Sequence, residues 1–165
     1  MLDPNVRPAL VANAGQCRRC LDAVIARSTI VNVSDADLTR LDSDLDLDAA
    51  ADRILGAGVR TAVATLGAQG ALGASNNARV RVPAPTVKVV DTIGAGDFLG
   101  AALLAWLHDH GTLGTDVVLG VDELKSALVF ACFVASLTCT RARAESLWRA
   151  ELGDDLAGSL GTSYQ

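Results

Sequence analysis

The chain has 165 residues and is half apolar, which suffices for one domain with a sizeable core. Fourteen Lys and Arg against nineteen Asp and Glu give a formal net charge of −5. No basic block is present to follow a phosphate backbone, which argues against nucleic acid as a partner. No run approaches the roughly 18 apolar residues of a membrane span, and no basic-then-apolar leader opens the chain. We therefore expect a soluble cytoplasmic protein.

In chain order, the first elements are a short N-terminal strand, a turn at Pro4–Asn5 and a helix from about Pro8 to Ala26 with apolar residues at helical spacing. STIVNV, residues 28–33, then predicts a buried strand. The stretch SDADL predicts a helix start in which Ser34 is the N-cap and Asp37 lies three residues further on.

The next elements are a helix from about Asp48 to Ala57 and a strand at TAVATL, residues 61–66, which ends in GAQG. GALGASNNARVRVPAP, residues 70–85, predicts an antiparallel hairpin around an Asn-Asn turn. TVKVV, residues 86–90, predicts a further strand. Two helices follow, at about Asp97–His110 and at about Asp122–Thr138, the second capped by Asp122.

Four cysteines occur, Cys17 and Cys20 in CRRC and Cys132 and Cys139 in CFVASLTC. The CxxC spacing suits zinc or redox chemistry, but it lies inside a helical pattern and has no second Cys or His pair beside it. Reduced thiols on helix faces are the favoured interpretation, and the zinc and redox roles are the alternatives.

Strands that alternate with helices predict an α/β fold, here a mainly parallel sheet flanked by helices and carrying a β-hairpin. Ligands of such sheets bind at the carboxyl ends of the strands. Because Asn5, Ser34, Gly67 and Gly94 each follow an apolar strand, we expect four distant loops to meet at one edge of the sheet.

The stretch VVDTIGAGDF is the most informative motif in the chain. Gly94 and Gly96 remove side chains where the chain enters a helix, so we expect the amides of residues 94–97 to point at one spot. Unpaired amides and the helix dipole make that spot attractive to a phosphate. Asp97 beside it can accept a proton from a hydroxyl group aimed at phosphorus. The combination predicts phosphoryl transfer.

The structural alternative is that the two glycines form a tight turn and Asp97 only caps its helix. A Walker A loop is excluded because no GxxxxGK string exists in the chain. A Rossmann fingerprint is disfavoured because its third glycine would fall at Leu99.

Four stretches resemble, in order, one family of enzymes. DTIGAGDF resembles the DTxGAGD signature of the ribokinase-like carbohydrate kinases, the PfkB family. DPNVRPAL resembles the DPNxRPxLW segment of its fructokinase and sugar-acid kinase branch. VNVSDADLTRL resembles VKVSDEDLxxL, and VATLGAQGAL resembles VxTLGxxGAL. The resemblance covers residues 1 to about 140, and residues 141–165 form a divergent C-terminal tail.

The resemblance implies transfer of the ATP γ-phosphoryl group to a sugar hydroxyl with Mg²⁺, most like a fructokinase. It implies that Asp97 is the base that accepts the proton of the sugar hydroxyl. The residues whose amides form its anion hole are Gly94, Ala95 and Gly96. The residues that it places beside the nucleotide are Thr65, Gly67, Gly70 and Ser34.

Further positions are carried over with structural alternatives beside them. The resemblance associates Asp37 with hydrated Mg²⁺, although Asp37 and Ser34 also suit a helix cap. It places Asp91 and the carbonyl group of Ile93 where some relatives hold a monovalent cation such as K⁺. It places Asn5 and Arg7 on the substrate side. The structural alternative is that Asn5 belongs to a turn and Arg7 is a surface charge.

The family members are longer, and the early strands, lid and most sugar contacts that precede their DPN segment have no counterpart here. We therefore expect only the C-terminal half of a kinase. A sheet without its first strands exposes an apolar edge, which invites a separate N-terminal half or a second copy. The alternative function is a non-catalytic nucleotide-binding remnant, or an assembly module completed by another polypeptide.

Overall fold

The computed structural model describes residues 1–41, 45–143 and 151–152. Its helices are α1 (Ala14–Ile25), α2 (Asp35–Leu41), α3 (Leu47–Gly56), α4 (Ala95–Asp109) and α5 (Val121–Cys139). Its strands are β1 (Ile30–Ser34), β2 (Thr61–Thr65), β3 (Ala71–Ser75) and β4 (Arg79–Val82). Short 3-10 turns occupy Pro8–Leu10 and Gly67–Gln69. None of the described helices has the length and apolarity that crossing a membrane requires.

The four strands form one sheet in the order β1-β2-β3-β4. β1 and β2 are parallel, joined by α2 and α3, whereas β2-β3 and β3-β4 are antiparallel. The α/β class and the hairpin are confirmed, but the sheet is mixed, not mainly parallel, because the hairpin contributes both antiparallel pairings. Leu2 forms a parallel bridge to Val31 and so extends the sheet beyond β1.

Both faces of the sheet are covered, so neighbouring residues of one strand enter different cores. One core lies between the sheet and the helices α4 and α5, and it includes Val63, Leu103 and Leu128. The other includes Val31 of β1 and Ile54 of α3. Burial on both faces explains why β1 and β2 read as nearly continuous apolar runs.

The predicted strand at residues 86–90 is wrong. Thr86 to Val90 contain no strand, and the amides of Val90 and Asp91 instead donate to the carbonyl oxygen of Cys139 at 2.8 and 3.2 Å. The β-branched run has strand propensity but no neighbouring strand in the described chain. The segment is therefore tied to the end of α5.

Three helices begin at other residues than the pattern predicts. α1 starts at Ala14 because the side chain of Asn13 accepts a hydrogen bond from the amide of Gln16. α5 is capped by Gly120, which places Asp122 in the first turn. α4 starts at Ala95, so Asp97 lies within the first turn and does not precede it.

The turn before β3 requires a glycine at position 70. Gly70 has a φ of 95°, and a Cβ built there would lie 1.9 Å from the carbonyl oxygen of Val82 and 2.6 Å from the amide nitrogen of Ala84. Its amide donates to Gly67, and its carbonyl oxygen accepts from Leu66 at 2.8 Å. Because the backbone at Gly70 lies this close to that of Val82, β3 begins beside the end of β4.

We predict that Gly70→Ala lowers the free energy of unfolding by at least about 2 kcal/mol, because backbone atoms must move as well as φ. Gly67→Ala is the matched control: φ is 56° there, but no atom lies within 4 Å of the added Cβ. The control should lose about 1 to 2 kcal/mol. Urea unfolding measures both, and equal losses would contradict the steric argument.

Candidate active site

A pocket of about 540 Å³ lies at the carboxyl ends of β1 and β2. Its other walls are the 67–70 turn, the 84–89 segment, the start of α4 and one face of α5. Six residues predicted for the site line this pocket: Ser34, Thr65, Gly67, Gly70, Ala95 and Gly96. The other predicted residues are not among its lining: Asn5, Arg7, Asp37, Asp91, Gly94 and Asp97.

The loop before α4 presents backbone amides beside the pocket. Gly94 is the N-cap, in the left-handed conformation with a φ of 81°, and it has no capping side chain. The amide of Ala95 donates to the carbonyl oxygen of Thr92 at 3.2 Å. The amides of Gly94, Gly96 and Asp97 donate to no acceptor within the described chain. Three of the four amides predicted to bind an anion therefore have no acceptor in the described chain, and that of Ala95 is already engaged.

Open space faces this loop at its centre. A Cβ added to Gly96 would meet no atom within 4 Å. The first turn of a fifteen-residue helix carries a partial positive charge, and amides there bind anions without help from a lysine. The loop can thus hold a phosphate in a protein of net charge −5.

Asp97 is not among the residues that line the pocket. Its side chain is exposed, in the first turn of α4, and its charge acts on Asp3, as does that of Asp37. The three carboxylates come from the N-terminal segment, from α2 and from α4. These three carboxylates, none of which lines the pocket, are called the acidic side below.

Asp3 is a residue of this acidic side that sequence reasoning missed. Its carboxylate accepts hydrogen bonds from the amide of Asn5 at 3.1 Å and from Nδ2 of Asn32 at 3.2 Å. Burial raises the pKa of Asp3, those hydrogen bonds lower it, and the charges of Asp37 and Asp97 raise it again, with a net upward shift. The contact with Asn5, whose φ is 39°, explains the left-handed turn there.

Asn32 is buried beneath these carboxylates. It is 2% exposed, and its Oδ1 has no hydrogen-bond partner in the described part of the chain. A buried acceptor without a partner is unusual in a folded protein. The unpaired oxygen belongs to the same side chain whose Nδ2 donates to Asp3.

Ser34 and Asp37 form a capping pair. The hydroxyl group of Ser34 accepts from the amide of Asp37 at 3.1 Å and donates to its Oδ2 at 2.9 Å. Asp37 is 5% exposed. Ser34 thus reaches the pocket with its donor already used.

A magnesium ion fits this site only as a hydrated ion. No three His, Cys, Asp or Glu side chains of the described residues come close enough together to bind a metal directly. Mg²⁺ usually keeps several waters and is held by one or two carboxylates together with phosphates. The carboxylate oxygens of Asp3 and Asp37, which interact electrostatically, would suit that arrangement.

Asp91 braces the loop. Its Oδ1 accepts from the amide of Ile93 at 3.0 Å and its Oδ2 from the amide of Arg143 at 3.1 Å. These hydrogen bonds, first that of Ile93, hold the pKa of Asp91 below its ordinary value. Oδ1 therefore holds the loop and Oδ2 links it to the turn after α5, and the monovalent cation at Asp91 stays a prediction.

One face of α5 forms a pocket wall that sequence reasoning did not assign. Cys132, Ser136 and Cys139 line it at the i, i+4, i+7 spacing of a single helix face. Burial raises the pKa of Cys132 to about 11, so its thiol is neutral at pH 7. The pKa of Cys139 is also raised, first by burial and then by the charge of Asp91. Small polar residues at helical spacing were the signal for this wall.

The remaining predicted positions are Thr65, Asn5, Arg7 and the C-terminal tail. Thr65 lines the pocket, and its hydroxyl donates to the carbonyl oxygen of Val33 at a long 3.5 Å. Asn5 and Arg7 lie in the N-terminal segment near Asp3, outside the pocket. Most of the predicted tail, residues 144–150 and 153–165, lies outside the described residues.

Comparison with known proteins gives a consistent result. A family model described as pfkB family carbohydrate kinase matches residues 1–150. A fructokinase from Rhizobium leguminosarum bv. trifolii is 38% identical over 122 residues, which are 74% of this chain and 37% of that protein.

Two solved structures are similar in fold. Aminoimidazole riboside kinase from Salmonella enterica, complexed with aminoimidazole riboside and an ATP analog, has a TM-score of 0.79 and 26% identity over 93% of this chain and 50% of that one. A protein described as a ribokinase II from E. coli, with ATP and Mg²⁺, has a TM-score of 0.70 and 27% identity over 86% of this chain and 42% of that one. The chain thus spans half or less of the length of these relatives.

We predict that Asp91→Ala loosens the loop and speeds hydrogen exchange of the Ile93 amide at pH 7. Because the pKa of Asp91 is lowered, its stabilising effect is full above the ordinary value of 3.8 and is lost as the pH falls through the lowered value. The Ile93 amide resonance of the wild type should therefore titrate with a midpoint below pH 3.8. Asp116→Ala, in an exposed loop, should leave Ile93 unchanged; a midpoint above 3.8 would contradict the brace.

Proposed function

The chain belongs to the pfkB family of carbohydrate kinases, and we propose that its pocket binds ATP with Mg²⁺ for transfer of the γ-phosphoryl group to a sugar hydroxyl. The observation that carries this proposal is the loop at residues 94–97. Three of its amides lack an acceptor in the described chain, and one of its glycines, Gly96, faces open space beside a pocket of nucleotide size.

The pocket suits the nucleotide, and the acidic side suits the sugar hydroxyl. The pocket is mostly apolar with polar groups at its edge, as expected for a nucleoside next to its phosphates. The acidic side holds Asp97, whose exposed carboxylate is available to a hydroxyl group. A sugar hydroxyl beside Asp97 would approach the phosphoryl group that the loop amides hold.

The reaction then uses groups of this chain. A carboxylate oxygen of Asp97 takes the proton of the sugar hydroxyl as the hydroxyl oxygen bonds to the γ-phosphorus. The bond from that phosphorus to the β,γ-bridging oxygen breaks, and ADP leaves. The amides of Gly94, Gly96 and Asp97 donate to oxygens of the moving phosphoryl group. Asp3 and Asp37 would hold a hydrated Mg²⁺, which would supply charge neutralisation for the phosphates.

A second candidate, nucleotide binding without transfer, is favoured by one observation. Asp97, the predicted base, is not among the residues that line the pocket. The two candidates differ in what happens to ATP when a sugar is added. Assays with D-fructose and with aminoimidazole riboside, each with and without a separately produced N-terminal kinase half, distinguish them.

We predict that Asp97→Asn lowers turnover at least about 10²-fold in whichever of these assays shows turnover, because a general base contributes that much. Mg-ATP affinity, measured by isothermal titration calorimetry, should change little, since the amides remain. Asp109→Asn, at the far end of the same helix, is the control. Undiminished turnover in Asp97→Asn would contradict the role of Asp97 as the general base.

We predict that Gly96→Val weakens Mg-ATP binding at least about 10-fold, or about 1.4 kcal/mol, by filling the approach to the amides. The matched control is Gly56→Val at the end of α3, where an added Cβ also meets no atom within 4 Å but lies away from the pocket. Calorimetry should show normal affinity for the control. Equal affinity in the two variants would count against phosphate binding at this loop.

A further inference from the structure

Cys17 and Cys20 lie three residues apart on α1, and neither lines the pocket of the proposed site. Cys20 is exposed, Cys17 is half-buried, and both thiols are free. Among the described residues, no third His, Cys, Asp or Glu side chain joins them in a metal-binding group. Because a structural zinc site needs four ligands, the pair suits redox chemistry better than metal binding.

The geometry of a helix brings these two side chains close to each other. Residues three apart have Cα atoms about 5 Å apart, inside the range of roughly 4.4 to 6.8 Å that disulfides span. Their Cβ atoms are about 5 to 6 Å apart in an α-helix, whereas a disulfide holds them at about 3.5 to 4.5 Å. A local change to a 3-10 turn closes that gap, because side chains three apart then eclipse each other.

The first part of α1 is placed where such a change disturbs little. Ile25, at the end of α1, is the buried residue of this helix, and the residues before Cys17, Ala14 to Gln16, are exposed. The ion pair of Arg18 with Asp22, at 3.0 Å, is partly exposed and therefore contributes little to stability. Tightening the turn between the two cysteines thus breaks no contact of the hydrophobic core.

The other two cysteines are unsuited to a bridge with each other. Cys132 and Cys139 lie seven residues apart on α5, which is about 10 Å along the helix axis. Disulfide-bonded residues have Cα atoms within about 7 Å of each other. Burial also raises the pKa of both thiols, to about 11 for Cys132, so little of the reactive thiolate forms there.

We propose that Cys17 and Cys20 form a reversible redox site, at which a small disulfide such as glutathione disulfide oxidises the pair to an intrahelical disulfide. The Cys20 thiolate attacks one sulfur of the small disulfide, which releases one small thiolate and leaves a mixed disulfide on Cys20. The Cys17 thiolate then attacks the Cys20 sulfur and releases the second small thiolate. The two protein thiols lose two electrons, and their two protons pass to the two small thiolates. This inference does not depend on the proposed function.

The test incubates the whole chain with glutathione disulfide at mildly alkaline pH, blocks the remaining thiols and digests the chain with trypsin. Because Arg18 and Arg19 lie between the cysteines, trypsin separates Cys17 from Cys20. A bridge therefore leaves two peptides joined to each other, the second of which contains Cys20, and mass spectrometry detects the joined pair. Free thiols should fall from four to two per chain, and dithiothreitol should restore them. Non-reducing electrophoresis should show a single chain.

Cys17→Ser and Cys20→Ser are the matched variants. Each should stop at the mixed disulfide, so its intact mass should rise by one glutathionyl group on the remaining cysteine of the pair. Circular dichroism checks that both variants keep the helical content of the wild type.

Three results would overturn the inference. The first is a wild-type chain that carries glutathionyl groups on both Cys17 and Cys20 without a bridge. The second is a wild-type chain that keeps all four thiols free. The third is a bridge from this pair to Cys132, to Cys139 or to a second copy of the chain.

Discussion

The structure of the candidate site depends on backbone amides that the first turn of α4 leaves unpaired. Every helix has such amides, but most are capped by a side chain, as Asn13 caps α1 and Asp46 caps α3. α4 has Gly94 at this position, in a conformation that disfavours other residues, and no capping side chain. Asp91 holds the preceding turn, and the carbonyl oxygen of Cys139 holds its start. The amides are thus fixed in place and left for a ligand.

The charges around the site bear on the nucleotide binding that we propose for this acidic chain. The first residues of α4 line the pocket, whereas Asp3, Asp37 and Asp97 are not among its lining residues. Phosphates and carboxylates would repel each other if they shared one surface. In the proposed reaction, a hydrated cation would reduce the repulsion between the carboxylates and the phosphates.

Local patterns predicted much of the fold, and distant contacts decided the rest. The hairpin, α3 and the glycine-rich helix start follow from turn residues and spacing within a few positions. TVKVV reads as a strand, yet it lacks a neighbour to pair with, which no local pattern reveals. Asp3 and Asn32 meet only because Leu2 pairs with β1. The α5 wall likewise depends on how α5 packs against α4, although its spacing was visible.

The most direct test of the loop is an amide ¹H–¹⁵N spectrum of the chain titrated with Mg-ADP. The account predicts that the resonances of Gly94, Gly96 and Asp97 move downfield, because their amides gain phosphate acceptors. Ala95, whose amide already donates to Thr92, should move less. Binding that leaves those three resonances in place and shifts others would contradict the central claim.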